Sequence, residues 1–247
     1  MDGLFFLKSS VPKGLPSNIK GIQLDPVALG FACGGSDKYC STAYSQMWQH
    51  YGSVAALRSK YNIDGQVAFV SFSAGHGFMA PLLNSDKDRS DVAAVVLLDS
   101  TFGYGPPGYI KAAHDAVAKK MLLVSVTSDK GTTDAGNNGD YAWRQLVLKP
   151  SGLSLDSTSP KSPMPTPKEG VTRSGDLWYY RYTDAQLHHW DMHKILPNVL
   201  DAHLLPYLRG ERDDDSGVGG WMYWALGLLT LGAGFLLWRR GEKPLMR

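Results

Sequence analysis

The sequence predicts an α/β fold, a mostly parallel sheet flanked by helices, with one transmembrane helix at the C-terminus. Three observations carry this reading. Short apolar runs rich in β-branched and aromatic residues recur at 4–7, 27–32, 67–72, 92–98, 121–126 and 177–182. Several are continuously apolar rather than alternating, as strands buried on both faces of a parallel sheet require. Helical spacing lies between them: 41–61 places Thr42, Met47, Tyr51, Val54, Leu57 and Tyr61 on one side, and 75–83 and 109–120 read as two more helices. The last of these ends on Lys119-Lys120, cations that suit a helix C-terminus. Strands alternating with helices are the pattern of right-handed parallel crossovers.

The third observation is at the C-terminus. Residues 221–238 read WMYWALGLLTLGAGFLLW without a charge. At ~1.5 Å per residue this run spans ~27 Å, close to the hydrocarbon thickness of a bilayer. Trp221, Tyr223 and Trp224 stand at one end and Trp238 at the other, where amphipathic rings favour the interface. Arg239, Arg240, Lys243 and Arg247 follow, and Glu211-Arg212-Asp213-Asp214-Asp215 precede. Basic flanks stay in the cytoplasm, so 239–247 is expected inside as a basic tail and 1–215 outside. The opening MDGLFFLKSS lacks the basic and apolar regions of a signal peptide, so an export signal is expected upstream. The Gly-rich stretch, apolar helix and Arg pair resemble bacterial C-terminal surface-sorting tails. The expected location is therefore a bacterial membrane, crossed once.

Composition bounds the remainder. The 247 residues carry 25 Lys+Arg against 23 Asp+Glu, a net charge of +2, with no basic stripe, so nucleic acid is not an expected partner. A hydrophobic fraction of 43% supplies a core and excludes whole-chain disorder. Two cysteines build neither a disulfide scaffold nor a four-ligand zinc site. Cys33 and Cys40 flank GGSDKY; a paired loop and two buried thiols are both open readings. Residues 130–140 and 150–175, rich in Gly, Asn, Ser and Pro, are expected as surface excursions. The expected organisation is one domain over 1–208, a linker over 209–220, the span and the tail.

The segment QVAFVSFSAGHGFMAPLL, residues 66–83, carries the chemistry. A hydrophobic strand runs into Ser73 and then directly into a helix. A sharp strand-to-helix turn exposes its apical side chain and needs small residues two before and two after, here Ser71 and Gly75. The helix start offers backbone N–H groups to a developing oxyanion. These residues resemble the nucleophile elbow of the α/β-hydrolase superfamily, as Ser-x-Ser-x-Gly, in the manner of exported bacterial serine esterases. The resemblance covers about 4–208.

In that family nucleophile, acid and histidine follow in this chain order. The resemblance therefore implies Asp129, after the run 121–126, as the acid, with Asp99, after 92–98, as the alternate. It implies His189 as the base, with His188 as the alternate. The oxyanion donors it implies are the N–H of Ala74 and a second N–H after the first strand, at Ser9. The His-Gly that often stands at that second place is absent; Leu7 is followed by Lys8-Ser9-Ser10.

Phe72, Phe78, Phe102, Tyr104 and Trp190 are candidates for an apolar pocket, with core packing as the other role of each. His76 and His193 do not complete a zinc signature, and His50, His114 and His203 read as surface or helix-flank residues. No cofactor or metal is expected. The implied function is a membrane-anchored serine hydrolase acting on a small-molecule or lipid-like carboxylic ester. A catalytically inactive binding domain of the same fold is the alternative, and a peptidase or acyltransferase on this scaffold is a third reading.

Overall fold

A computed structural model describes residues 1–31, 40–101, 106–129 and 139–211. The expected span at 221–238, the basic tail, Cys33, Phe102 and Tyr104 lie outside the described residues. Among the described residues no helix is long and apolar enough to cross a membrane.

Residues 1–211 form one compact unit. Its chain order is β1 (Asp2–Leu7), β2 (Ile19–Leu24), α1 (Ser41–Tyr51), α2 (Val54–Tyr61), β3 (Val67–Phe72), α3 (His76–Asn84), α4 (Asp86–Ser90), β4 (Ala94–Leu98), α5 (Pro106–Val117) and β5 (Leu122–Ser128). A helix over 139–151 follows, π-helical through Ala142–Leu148, then β6 (Asp156–Thr158), β7 (Gly170–Ser174), β8 (Leu177–Tyr182) and a helix over 196–208. The strands join into one eight-stranded sheet in the order β2-β1-β3-β4-β5-β8-β7-β6. The pairs from β2 to β8 are parallel, and β8-β7-β6 is antiparallel.

Both faces of the parallel part are covered, which is why its strands read as unbroken apolar runs. Phe5, Leu7, Phe69, Val95, Leu97 and Leu123 pack toward α1, α2, α3 and α5. Leu4, Phe6, Val70, Val96, Leu98 and Val124 pack toward the helix 196–208. Alternate residues of one strand thus serve two separate apolar layers.

The structure departs from the expectations at identifiable places. The expected strand at 27–32 is a 3₁₀ turn, Val27–Leu29, closed by Gly30 at φ +80°. The real strand is β2, hidden by its IKGIQL composition. A Cβ on its Gly21 would stand 2.4 Å from Val11 and 2.7 Å from Leu15, so glycine is needed where the β1–β2 loop crosses the strand. The expected helix 41–61 is two helices. Gly52 ends α1 at φ +74°, and the Ser53 side chain caps α2 by accepting from the Ala56 N–H at 3.1 Å. The excursion expected over 150–175 carries the whole of β6 and β7. His203 is not a surface residue: it is 2% exposed and its Nε2 is hydrogen-bonded with the Tyr180 hydroxyl at 2.7 Å. Cys40 is disulfide-bonded.

Candidate active site

The register sets the site. Leu7 pairs with Ser71, Phe72 with Leu98, and Leu98 with Val126. Lys8, Ser73 and Asp99 are therefore the first residues beyond three neighbouring strands, β1, β3 and β4. Each leaves its strand in the left-handed region, with φ of +54°, +47° and +45°. Non-glycine residues avoid this region, at a cost of order 1 kcal/mol each, and concentrate in it where a side chain must be aimed. All three turns sit at the C-terminal edge of the parallel strands.

The strand-to-helix turn at Ser73 is held by a short hydroxyl relay. The Ser71 hydroxyl donates to Ser100 Oγ at 2.7 Å, and Ser100 Oγ donates to the Ser73 carbonyl at 3.0 Å. His76 Nδ1 donates to the same carbonyl, also at 3.0 Å. Gly75 sits against this relay: a Cβ there would lie 2.5 Å from Ser71 Oγ and 3.0 Å from the Leu7 Cβ. The small residues expected around Ser73 are thus required by contact on both sides.

Three side chains from separate elements meet at this edge. His189, at the start of a 3₁₀ segment His189–Lys194, places Nε2 3.2 Å from Ser73 Oγ. Its Nδ1 lies 2.8 Å from Asp99 Oδ2. A carboxylate only accepts, so the proton sits on Nδ1 and Nε2 is left to accept from the serine hydroxyl. His189 and Asp99 are 2% and 0% exposed, and Ser73 is 7% exposed. Phe72 lies against the imidazole at 5.1 Å between centroids, and Trp190 meets it edge-on at 4.8 Å. Trp190 is itself 61% exposed and lies beneath the Lys8 ammonium, 5.8 Å away.

The acid in contact is Asp99, not Asp129. Beyond the rung where Leu98 meets Val126, β5 continues through Thr127 and Ser128 alongside β8. That extension carries Asp129 past the row of Ser73 and Asp99, where its Oδ1 accepts from the Asp184 N–H at 2.6 Å. His188 is exposed and caps the 3₁₀ segment by accepting from the Trp190 N–H at 3.3 Å. Phe78 is a core residue against Trp48 and Phe69 rather than a pocket wall. His193 is exposed and bonded to the Trp190 carbonyl. Ala74 and Ser9 both stand at this sheet edge, and the Ser9 hydroxyl is buried without a hydrogen-bond partner among the described residues.

Burial pushes the Asp99 carboxyl up from the ordinary range; the His189 hydrogen bond and the Ser128 backbone hold it down. The nearby negative charge of Asp140 pushes it up again. Asp140, which sequence reasoning missed, is 4% exposed and opens the helix 139–151. It accepts from the Tyr179 hydroxyl, from Arg181 Nε at 3.0 Å and from Arg144 Nε at 2.9 Å, so two guanidinium groups balance its charge. Its neighbour Gly139 abuts the acid: a Cβ there would lie 2.1 Å from Asp99 Oδ1. The sequence signal for this second carboxylate is slight, one of two Asp in the Gly/Asn-rich stretch 130–140.

Among the described residues no group of three His, Cys, Asp or Glu side chains could hold a metal ion. No family model, no curated protein and no solved structure matches the chain.

Proposed function

We propose that the chain is a serine hydrolase of the α/β-hydrolase type, acting on a carboxylic ester. One observation carries the reading: the hydrogen-bonded series Ser73–His189–Asp99 at the ends of adjacent parallel strands. In this reading His189 Nε2 takes the Ser73 proton as Oγ attacks the ester carbonyl. Asp99 fixes the imidazole tautomer and stabilises the imidazolium that forms. The tetrahedral oxyanion is held by the N–H of Ala74 and a second main-chain donor after β1, at Ser9. Each such donor is worth ~3–4 kcal/mol of barrier. The imidazolium then protonates the departing alcohol, and water activated by the same nitrogen releases the acyl group.

The test is labelling with a fluorophosphonate. Wild type should be labelled, and Ser73→Ala and His189→Ala should not. A folded wild-type protein that stays unlabelled would favour an inactive binding domain, a reading supported by the 7% exposure of Ser73.

We further propose that the domain is displayed outside a bacterial membrane and held by 221–238. The support is the uncharged run and its basic flank. Protease added to intact cells should remove the domain; full protection would overturn this topology.

A further inference from the structure

We propose that Asp140 is a positioning residue for the acid. Fastened to β8 and to its own helix, it keeps the Gly139 backbone against Asp99, so that Asp99 Oδ2 stays on His189 Nδ1. This role rests on the hydrolase reading and deepens it.

Asp99 needs holding. It leaves β4 in the left-handed region, at φ +45°, a backbone state that its surroundings must enforce. Only one of its two oxygens serves the base, Oδ2 at 2.8 Å from His189 Nδ1. The other, Oδ1, faces the chain at Gly139, where a Cβ would stand 2.1 Å away. That backbone is a wall behind the carboxyl. While it stays in place, the carboxyl has no room to swing back from the imidazole.

The wall is fixed by the next residue. Tyr179 and Arg181 stand two apart on β8, so both project from one face of the sheet. Both donate to the same oxygen, Asp140 Oδ1, through the Tyr179 hydroxyl and through Arg181 Nε at 3.0 Å. Arg144, one helical turn on, donates its Nε–H to Asp140 Oδ2 at 2.9 Å. The Tyr179 hydroxyl is itself met from β5 by Thr127 Oγ1 at 3.3 Å. Two strands and one helix thus converge on a single buried side chain. Asp140 and Gly139 share a rigid peptide plane, so fixing the one constrains the other.

An effect of charge alone would have the opposite sign. The Asp140 carboxylate pushes the Asp99 carboxyl up, which disfavours the ionised acid. Were charge its whole influence, removing Asp140 would help Asp99; as a positioning residue, its removal does harm.

The experiment uses the full-length protein and reads two signals. One is the downfield proton resonance of His189 Nδ1–H, identified by its loss in Asp99→Asn. The other is kcat and KM for p-nitrophenyl butyrate. Asp140→Ala should displace or abolish the resonance. It should lower kcat by ~10²-fold, the effect of a misplacement of about 1 Å, with KM within about twofold. Tyr179→Phe keeps the charge and removes one of the bonds, so it should shift the resonance and lower kcat by about tenfold. It decides the matter if Asp140→Ala fails to fold. A resonance that stays in place in a folded variant overturns the proposal, as does a kcat that is unchanged or raised. A wild type that hydrolyses no ester and takes no fluorophosphonate overturns the hydrolase reading instead. The resonance, which needs no substrate, then tests the hold of Asp140 on the Asp99–His189 pair by itself.

Discussion

At the residue scale, the 2.8 Å contact between Asp99 Oδ2 and His189 Nδ1 singles out one of two candidate carboxylates. Asp99 and Asp129 both follow apolar runs, and nothing in the runs tells where each strand stops relative to its neighbour. The register does: β5 outruns β4 by Thr127 and Ser128. Asp99→Asn should lower kcat by ~10³–10⁴-fold, the usual effect of losing the tautomer-fixing carboxylate. Asp129→Asn should leave kcat within about threefold, because the carboxylate bonded to the His189 imidazole is that of Asp99, while Asp129 accepts from the Asp184 N–H. Stability should move the other way. The Asp99 carboxyl is raised in the folded state, so its ionised form opposes folding at pH values above that raised value. Asparagine removes that charge, and the Tm of Asp99→Asn at pH 7 should exceed that of wild type. A lower Tm would show that the His189 contact outweighs the burial. Ser73, by contrast, was legible from the turn chemistry around it, whereas His189 followed from the chain order of the family resemblance, with His188 beside it as the alternate.

At the element scale, the strands that read most clearly are the ones buried on both faces. β3, β4, β5 and β8 all lie under the runs that announced them. β2 did not show because Gly21 and Lys20 interrupt its pattern, and the glycine is there for a loop crossing rather than for the strand. β6 did not show because all three of its residues are exposed, so no apolar period marks it. The elbow gives the test at this scale. Gly75 has an ordinary helical φ of −58°, so its need is spatial and not conformational. Gly75→Ala should destabilise the protein by ~1–3 kcal/mol through overpacking against Ser71 and Leu7. It should also slow fluorophosphonate labelling, since the displaced atoms belong to the relay that holds Ser73. Urea unfolding and labelling rates check the two parts separately.

At the scale of the whole molecule, the class of fold and the burial of its strands on both faces were legible from the continuous apolar runs, while the order of the strands and the helix that covers the second face were not. His203 shows why. Its neighbours in the sequence give no sign that the helix 196–208 covers the second face of the sheet, against Trp178 and Tyr180. Burial there lowers its pKa from 6.5 to about 3. The folded state thus refuses a proton that the unfolded chain accepts below about pH 6.5, so stability falls as pH drops from there toward 3. The slope from this one group is about 1.4 kcal/mol per pH unit, and His76, also lowered by burial, adds in the same direction. His203→Gln, which keeps a hydrogen-bonding side chain opposite the Tyr180 hydroxyl, should flatten that slope in urea titrations at pH 7, 6 and 5. An unchanged slope would place the acid sensitivity elsewhere.

The three left-handed turns after β1, β3 and β4 have a thermal consequence. They hold the reactive edge in backbone states that the chain leaves readily once its surroundings loosen. On warming, that edge should relax before the sheet beneath it melts. Fluorophosphonate labelling should then vanish several degrees below the loss of circular dichroism, and return in full on cooling from that interval. Lys8→Gly, which eases the first turn without touching Ser73, His189 or Asp99, should narrow the gap between the two temperatures.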